Sequence, residues 1–312
     1  MARSILELDG DALWTAFEQI NPVDLLVDEL TGRTDDRVDW NPHHLGRFVA
    51  WQRTTKDDDG TERALLEDPG TGERCLLPAD GLRASRTATL GALAARQMLT
   101  PTVVTATVLG TSPAAQLQLA VIARHVPDVS HIAVCPTPGG GFPLEPRVVD
   151  QVDLAGIGLS VTSGMAEAVF GANLVIIADG GPWPLIPGQL PRGAVVVNAT
   201  GQDLPVELVN GVDEIYVDDA KALEANRHRY FIRSHLSSRI GVGAPTRTTG
   251  GRRRPHIEAP LGEVLTGGHP GRTHLDDTLL VELLSTDTLD AQLACELHRA
   301  ALERGLGVRR SE

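Results

Sequence analysis

The chain has 312 residues, 42% hydrophobic and 22% charged, with a formal net charge of −13. That suits two domains or one large one with an ample core. The acidic balance argues against a nucleic-acid surface, and no apolar stretch approaches the ~20 residues of a membrane-spanning helix.

Aromatic residues are only 4%, while Gly, Ala, Leu and Val dominate, a composition that suits α/β packing. Cys75, Cys135 and Cys295 are far apart and odd in number, with neither metal-ligand spacing nor a disulfide framework. They read as reduced thiols. The N-terminus carries acids where a secretory leader needs an apolar run, so a soluble, cytoplasmic protein is expected.

Residues 1–30 read as a short strand and an amphipathic helix, with Leu13, Phe17, Ile20, Leu25 and Leu26 as its apolar positions. Residues 31–60 are polar and Asp-rich, although 44–53 alternates enough for a strand. Residues 63–67 and 74–78 flank Asp68-Pro69-Gly70-Thr71-Gly72, a hairpin-turn signal. The first 85 residues thus predict a small antiparallel meander with a helix. An Ala/Leu-rich helix follows over 87–98, closed by Pro101.

The rhythm then changes. Short apolar runs at 103–109, 132–135, 157–161, 174–178, 194–198 and 214–217 alternate with helical stretches such as 114–124 and 165–170. Runs of Val and Ile that do not alternate with polar residues predict strands buried on both faces, as in a parallel sheet. Residues 241–256 read as a basic surface loop, and 274–304 as largely helical, with Leu279, Leu280, Leu283, Leu289, Leu293 and Leu297 at core-like spacing.

Where the 103–109 run ends, the chain reads Gly110-Thr111-Ser112-Pro113-Ala114-Ala115. A strand, a glycine turn and a helix start are how a dinucleotide-binding domain opens, as G-x-G-x-x-G or G-x-G-x-x-A. Gly110 supplies the first glycine and Ala115 the small third position, but Ser112 stands at the second, where a Cβ crowds a diphosphate. Ser-Pro is also a good helix start in its own right, Ser as N-cap and Pro in the first turn. The Thr111 and Ser112 hydroxyls are candidate phosphate donors. The next strand ends Cys135-Pro136-Thr137, without the acid that binds the ribose of NAD; this leans toward NADP, with Thr137 as a contact, or toward no dinucleotide at all.

Three blocks resemble the ornithine cyclodeaminase/μ-crystallin family. They are Leu66-Glu67-Asp68-Pro69-Gly70-Thr71-Gly72 running to Arg86-Thr87-Ala88, then Asn198-Ala199-Thr200-Gly201-Gln202-Asp203, then Leu261-Gly262-Glu263 running to Pro270-Gly271-Arg272. Order and spacing hold from residue 66 onward. The resemblance implies a doubly wound, Rossmann-like parallel sheet over 99–285 and a smaller α+β substrate and dimerisation domain over 1–98, completed by a final helix from 286 to 312. It implies a homodimer and NAD(P)-linked chemistry at an amine or imine carbon of an amino-acid-like substrate. Arg86 matches the arginine that holds the substrate carboxylate, a task suited to a guanidinium fork. Asp203 matches the acid that binds the amine and moves its proton, and Asn198 lies in the same block beside the cofactor. Where the family has a general-base lysine, this chain has Arg47, which stays protonated. Where it has a glycine after Ser-Thr, this chain has Asp287. These departures point to a specialised biosynthetic relative, or to a family-fold protein without redox turnover.

Overall fold

The computed structural model describes residues 4–31, 50–56, 62–67, 73–100, 103–240, 255–284 and 287–311. The chain divides into two compact units, Met1–Arg86 with Thr286–Glu312, and Thr87–Ser285. The first boundary falls inside a helix, at Arg86, and not at its end near residue 98.

The first unit contains β1 (Ser4–Glu7), α1 (Gly10–Glu18), α2 (Pro22–Thr31), β2 (Ala50–Lys56), β3 (Glu62–Glu67), β4 (Arg74–Pro78) and the opening turns of α3 (Ala79–Met98). Asp9 caps α1 by accepting the Ala12 amide at 2.8 Å, an arrangement that satisfies one of the helix's orphan donors. Leu13, Ala16 and Phe17 of α1 and Val23 and Leu26 of α2 are buried. The expected meander is present as β2, β3 and β4, each antiparallel to the next. Its sheet is larger than the sequence suggested. β1 adds in parallel beside β4, and a strand from the far C-terminus pairs antiparallel with β1. The hairpin residues 68–72 and residues 44–49 lie outside the described residues. Because α3 begins at Ala79, Arg86 sits within the helix rather than at its start.

The second unit carries the chain from the remainder of α3 through β5 (Val104–Leu109), α4 (Pro113–His125), β6 (Val129–Cys135), α5 (Pro146–Leu154), β7 (Gly158–Val161), α6 (Met165–Val169), β8 (Leu174–Ile177), β9 (Val195–Asn198), α7 (Val206–Val209), β10 (Glu214–Val217), α8 (Tyr230–Ile240), β11 (Ile257–Pro260), α9 (Leu261–Leu265) and β12 (Leu279–Glu282). The chain then re-enters the first unit through α10 (Asp287–Arg304) and β13 (Val308–Ser311). The eight strands run parallel in the order β11-β10-β12-β9-β8-β5-β6-β7. Every residue of β8, β9, β10 and β12 is buried, which explains why the first three of these segments read as apolar strand runs. β7, at the sheet edge, is mostly exposed.

The helix expected over 274–304 is corrected in its first part. Leu279–Glu282 is a strand inserted between β9 and β10, and the helix starts at Asp287. Periodicity cannot separate a short apolar strand from one buried turn of helix; the flanking partners decide. The family-like block ending at Arg272 has a structural use. The Arg272 guanidinium donates to the carbonyls of Met98 at 2.9 Å, Gly193 at 2.7 Å and Leu275 at 3.3 Å, and also to that of Asp277, clamping the end of α3 to the loops before β9 and β12. Among the described residues, no helix is long and apolar enough to cross a membrane.

Candidate functional site

The sheet order reverses between β5 and β8. In open parallel sheets such a switch point leaves a crevice at the carboxyl ends of the strands, where ligands collect. The loops that follow β5 and β8 both open there.

After β5, Gly110 turns the chain with a φ of +130° and donates its amide to Cys135 at 2.8 Å. Ser112 caps α4 by accepting the Ala115 amide at 3.2 Å, and Pro113 follows in the first turn. The amides of Thr111 and Ser112 point together at one atom, Asp179 Oδ2, at 2.8 and 2.9 Å. The Ser112 hydroxyl donates to the other oxygen, Asp179 Oδ1. Successive amides converging at a helix N-terminus form an anion-binding concavity. Here the anion is the chain's own carboxylate. Gly110 is required for this approach, because a Cβ at that position would collide with the Asp179 carboxyl group. Gly110→Ala is therefore expected to lower stability by about 1–3 kcal/mol through strain at positive φ. A thermal melt in which Gly110→Ala equals the wild type would refute this packing.

The main chain of Asp179 is pinned. Its amide donates to the Leu109 carbonyl at 3.1 Å, and its carbonyl accepts the Trp183 indole N–H at 2.8 Å. Beside it, Thr111 is buried and its Oγ1 has no hydrogen-bond partner among the described residues. Thr137, expected as a phosphate contact, donates its hydroxyl to the Gly140 carbonyl at 2.8 Å.

A second cluster lies at the carboxyl ends of β9 and β12. Glu282 is fully buried and accepts from Arg229 Nη2 at 2.6 Å and from Asn198 Nδ2 at 2.9 Å. Arg229, also buried, donates to the Gln202 carbonyl at 2.7 Å and packs 5.0 Å from the centre of the Phe231 ring. Burial pushes the Glu282 carboxyl up to about 7, more than the Arg229 charge and the two hydrogen bonds pull it down. Asp203 sits at the rim with its side chain 44% exposed. It accepts the Tyr230 amide at 2.9 Å and lies 3.8 Å from Arg229 Nε.

Of the residues chosen from sequence, Gly110, Thr111 and Ser112 come together at the turn, and Asn198 and Asp203 meet in the second cluster. Asn198, expected as a cofactor contact, has both ends of its amide hydrogen-bonded within the chain. Its Nδ2 donates to Gln202 and Glu282, and its Oδ1 accepts the Thr200 amide and hydroxyl, which uses its whole capacity. Arg86 lies in the first unit, buried, with Nη1 at 2.6 Å from Asp290 Oδ2. Arg47 and the side chain of Asp287 lie outside the described residues. Asp179, Arg229 and Glu282 escaped the sequence reading. Asp179 and Glu282 left the same signal there, an acid directly after an apolar run at a strand end; Arg229 left none.

This geometry defines a Rossmann-type parallel α/β unit joined to a smaller mixed-sheet unit. No family model matches the sequence. A curated relative, the N-((2S)-2-amino-2-carboxyethyl)-L-glutamate dehydrogenase of Staphylococcus aureus, is 22% identical over 299 residues, covering 91% of this chain and 84% of its own. A solved lysine cyclodeaminase superimposes with a TM-score of 0.65 at 15% identity, over 100% of this chain and 96% of its own. The Δ1-pyrroline-2-carboxylate reductase of Thermococcus litoralis, solved with NADH and L-proline, superimposes at 0.62 with 16% identity, over 99% of both chains. The chain thus has the fold of the cyclodeaminases, and the resemblance carried by its three sequence blocks is borne out in its architecture.

Proposed function

We propose that this protein is a divergent member of the ornithine cyclodeaminase/μ-crystallin family. On this reading it is an NAD(P)-dependent oxidoreductase acting at the nitrogen-bearing carbon of an amino-acid-like substrate. The observation that carries the proposal is the anion cradle at the switch point, on a fold shared with an NADH-binding imine-acid reductase. The residues fit a diphosphate once the Asp179 carboxylate gives up its place. The Thr111 and Ser112 amides and the buried Thr111 hydroxyl are then the donors. A nicotinamide bound there supplies or accepts the hydride. NADP is preferred over NAD, because the segment Cys135 to Gly141 offers no carboxylate to a ribose hydroxyl, and Thr137 is the phosphate contact.

Asp203 is the acid that pairs with the substrate amine and moves its proton. Its carboxylate is open to solvent, and the Tyr230 amide fixes its orientation. Glu282, Arg229 and Asn198 hold the Asp203 loop through the Gln202 carbonyl. Arg86, oriented by Asp290, anchors a carboxylate, and the protein works as a homodimer, as the resemblance implies.

The test is a titration with NADH and NADPH followed by nucleotide fluorescence, then an assay of imine reduction. Asp203→Asn is expected to lower kcat/KM by about 10²–10⁴ with dinucleotide affinity unchanged. Failure of both nucleotides to bind at millimolar concentration would remove the redox reading.

A further inference from the structure

We propose that Asp179 is a built-in competitor of the dinucleotide diphosphate, an internal anion that occupies the cradle in the free protein and must leave it before the cofactor binds. This rests on the reading that the cradle is the dinucleotide site.

The argument starts from donor supply. The turn after β5 offers two amides and two hydroxyls, and Asp179 takes both amides and the Ser112 hydroxyl through its two oxygens. Hydrogen bonds to an ionised acceptor are shorter and stronger than neutral ones. The helix dipole of α4 adds to them, because an anion at a helix N-terminus is favoured. A diphosphate entering the same place would meet a carboxylate already holding its donors, with charge repulsion added. Asp179 and a diphosphate therefore exclude one another at this turn.

The way out is also built in. The Asp179 main chain is held by Leu109 on one side and Trp183 on the other, so release needs only rotation of the side chain. The residue is half-buried, not locked in the core.

When the competent state is only partly populated, apparent affinity falls by that fraction. Asp179→Ala empties the cradle, and Asp179→Asn keeps the shape but removes the charge. Both variants are expected to bind NADH or NADPH at least about tenfold more tightly than the wild type, with Ala gaining more. Kd is read by nucleotide fluorescence, and inorganic pyrophosphate is run as a second probe by isothermal calorimetry. Circular dichroism checks that each variant is folded, and Asn stands in if Ala is not.

Dinucleotide binding that is equally tight in wild type and both variants would overturn the competitor role while leaving the redox reading intact. Pyrophosphate binding that appears only in the variants, with no dinucleotide binding in any protein, would uphold Asp179 as the resident anion and overturn the dinucleotide reading. Variants that gain neither probe overturn the proposal.

Discussion

Replacing Arg86 by alanine is expected to destabilise the first unit by about 3–5 kcal/mol, measured as a shift in denaturant midpoint. The cause is the partner left behind. Arg86 and Asp290 are both nearly inaccessible, at 2% and 4% side-chain exposure, and lie 2.6 Å apart. Removing the cation leaves a carboxylate whose desolvation cost is no longer offset by this pair. Replacing both residues together, as Arg86→Met with Asp290→Leu, is expected to recover most of the loss, because a buried pair exchanged for apolar side chains is often neutral. A cost for Arg86→Ala below about 1 kcal/mol would show that the pair does not hold the unit together. The carboxylate-anchoring role proposed for Arg86 is separable from this. Arg86→Lys preserves the charge but not the fork, so it should raise KM in a folded protein. An unchanged KM would remove Arg86 from substrate binding.

The second large effect is a pH dependence of stability set by Glu282. Burial raises its folded carboxyl to about 7 from the ordinary 4.5. Between those values the native state holds more protons than the unfolded chain, so stability falls as pH rises through that window. Below it, both states are protonated and the penalty is absent. Above it, the penalty is complete, on the order of 3 kcal/mol for a shift of this size. Glu282→Gln should flatten the profile of unfolding free energy between about pH 5 and pH 8. If wild type and Glu282→Gln have parallel profiles, the buried carboxyl does not control stability. Arg229→Ala should be most harmful above pH 7, where Glu282 is ionised and has lost its guanidinium partner.

Much of the fold was legible before any coordinates. Strand positions in the second unit emerged from runs such as Val195–Asn198 and Glu214–Val217, because a strand covered on both faces must be apolar throughout. The Gly110 turn was legible because few residues other than glycine tolerate its φ. β12 was misread because Leu279–Glu282 is short, and leucine spacing around it also fits a helix. The start of α3 was missed because β4 runs into it at Pro78 and Ala79 with no loop between them.

The candidate site was legible only in part. Asp203, Ser112 and Arg86 could be singled out by type and motif. Their partners could not, since Asp179 meets the turn from 67 residues away and Glu282 meets Asn198 from 84. Local patterning follows from backbone geometry and apolar periodicity, both written within a few residues of one another. The sequence alone therefore determined where strands β5 to β10 and the glycine turn lie. Which carboxylate fills the cradle, and which arginine is tied down in a buried pair, are outcomes of strand order. Only the folded sheet brings the end of β8 beside the end of β5, and a hydrogen bond depends on that proximity, not on distance along the chain.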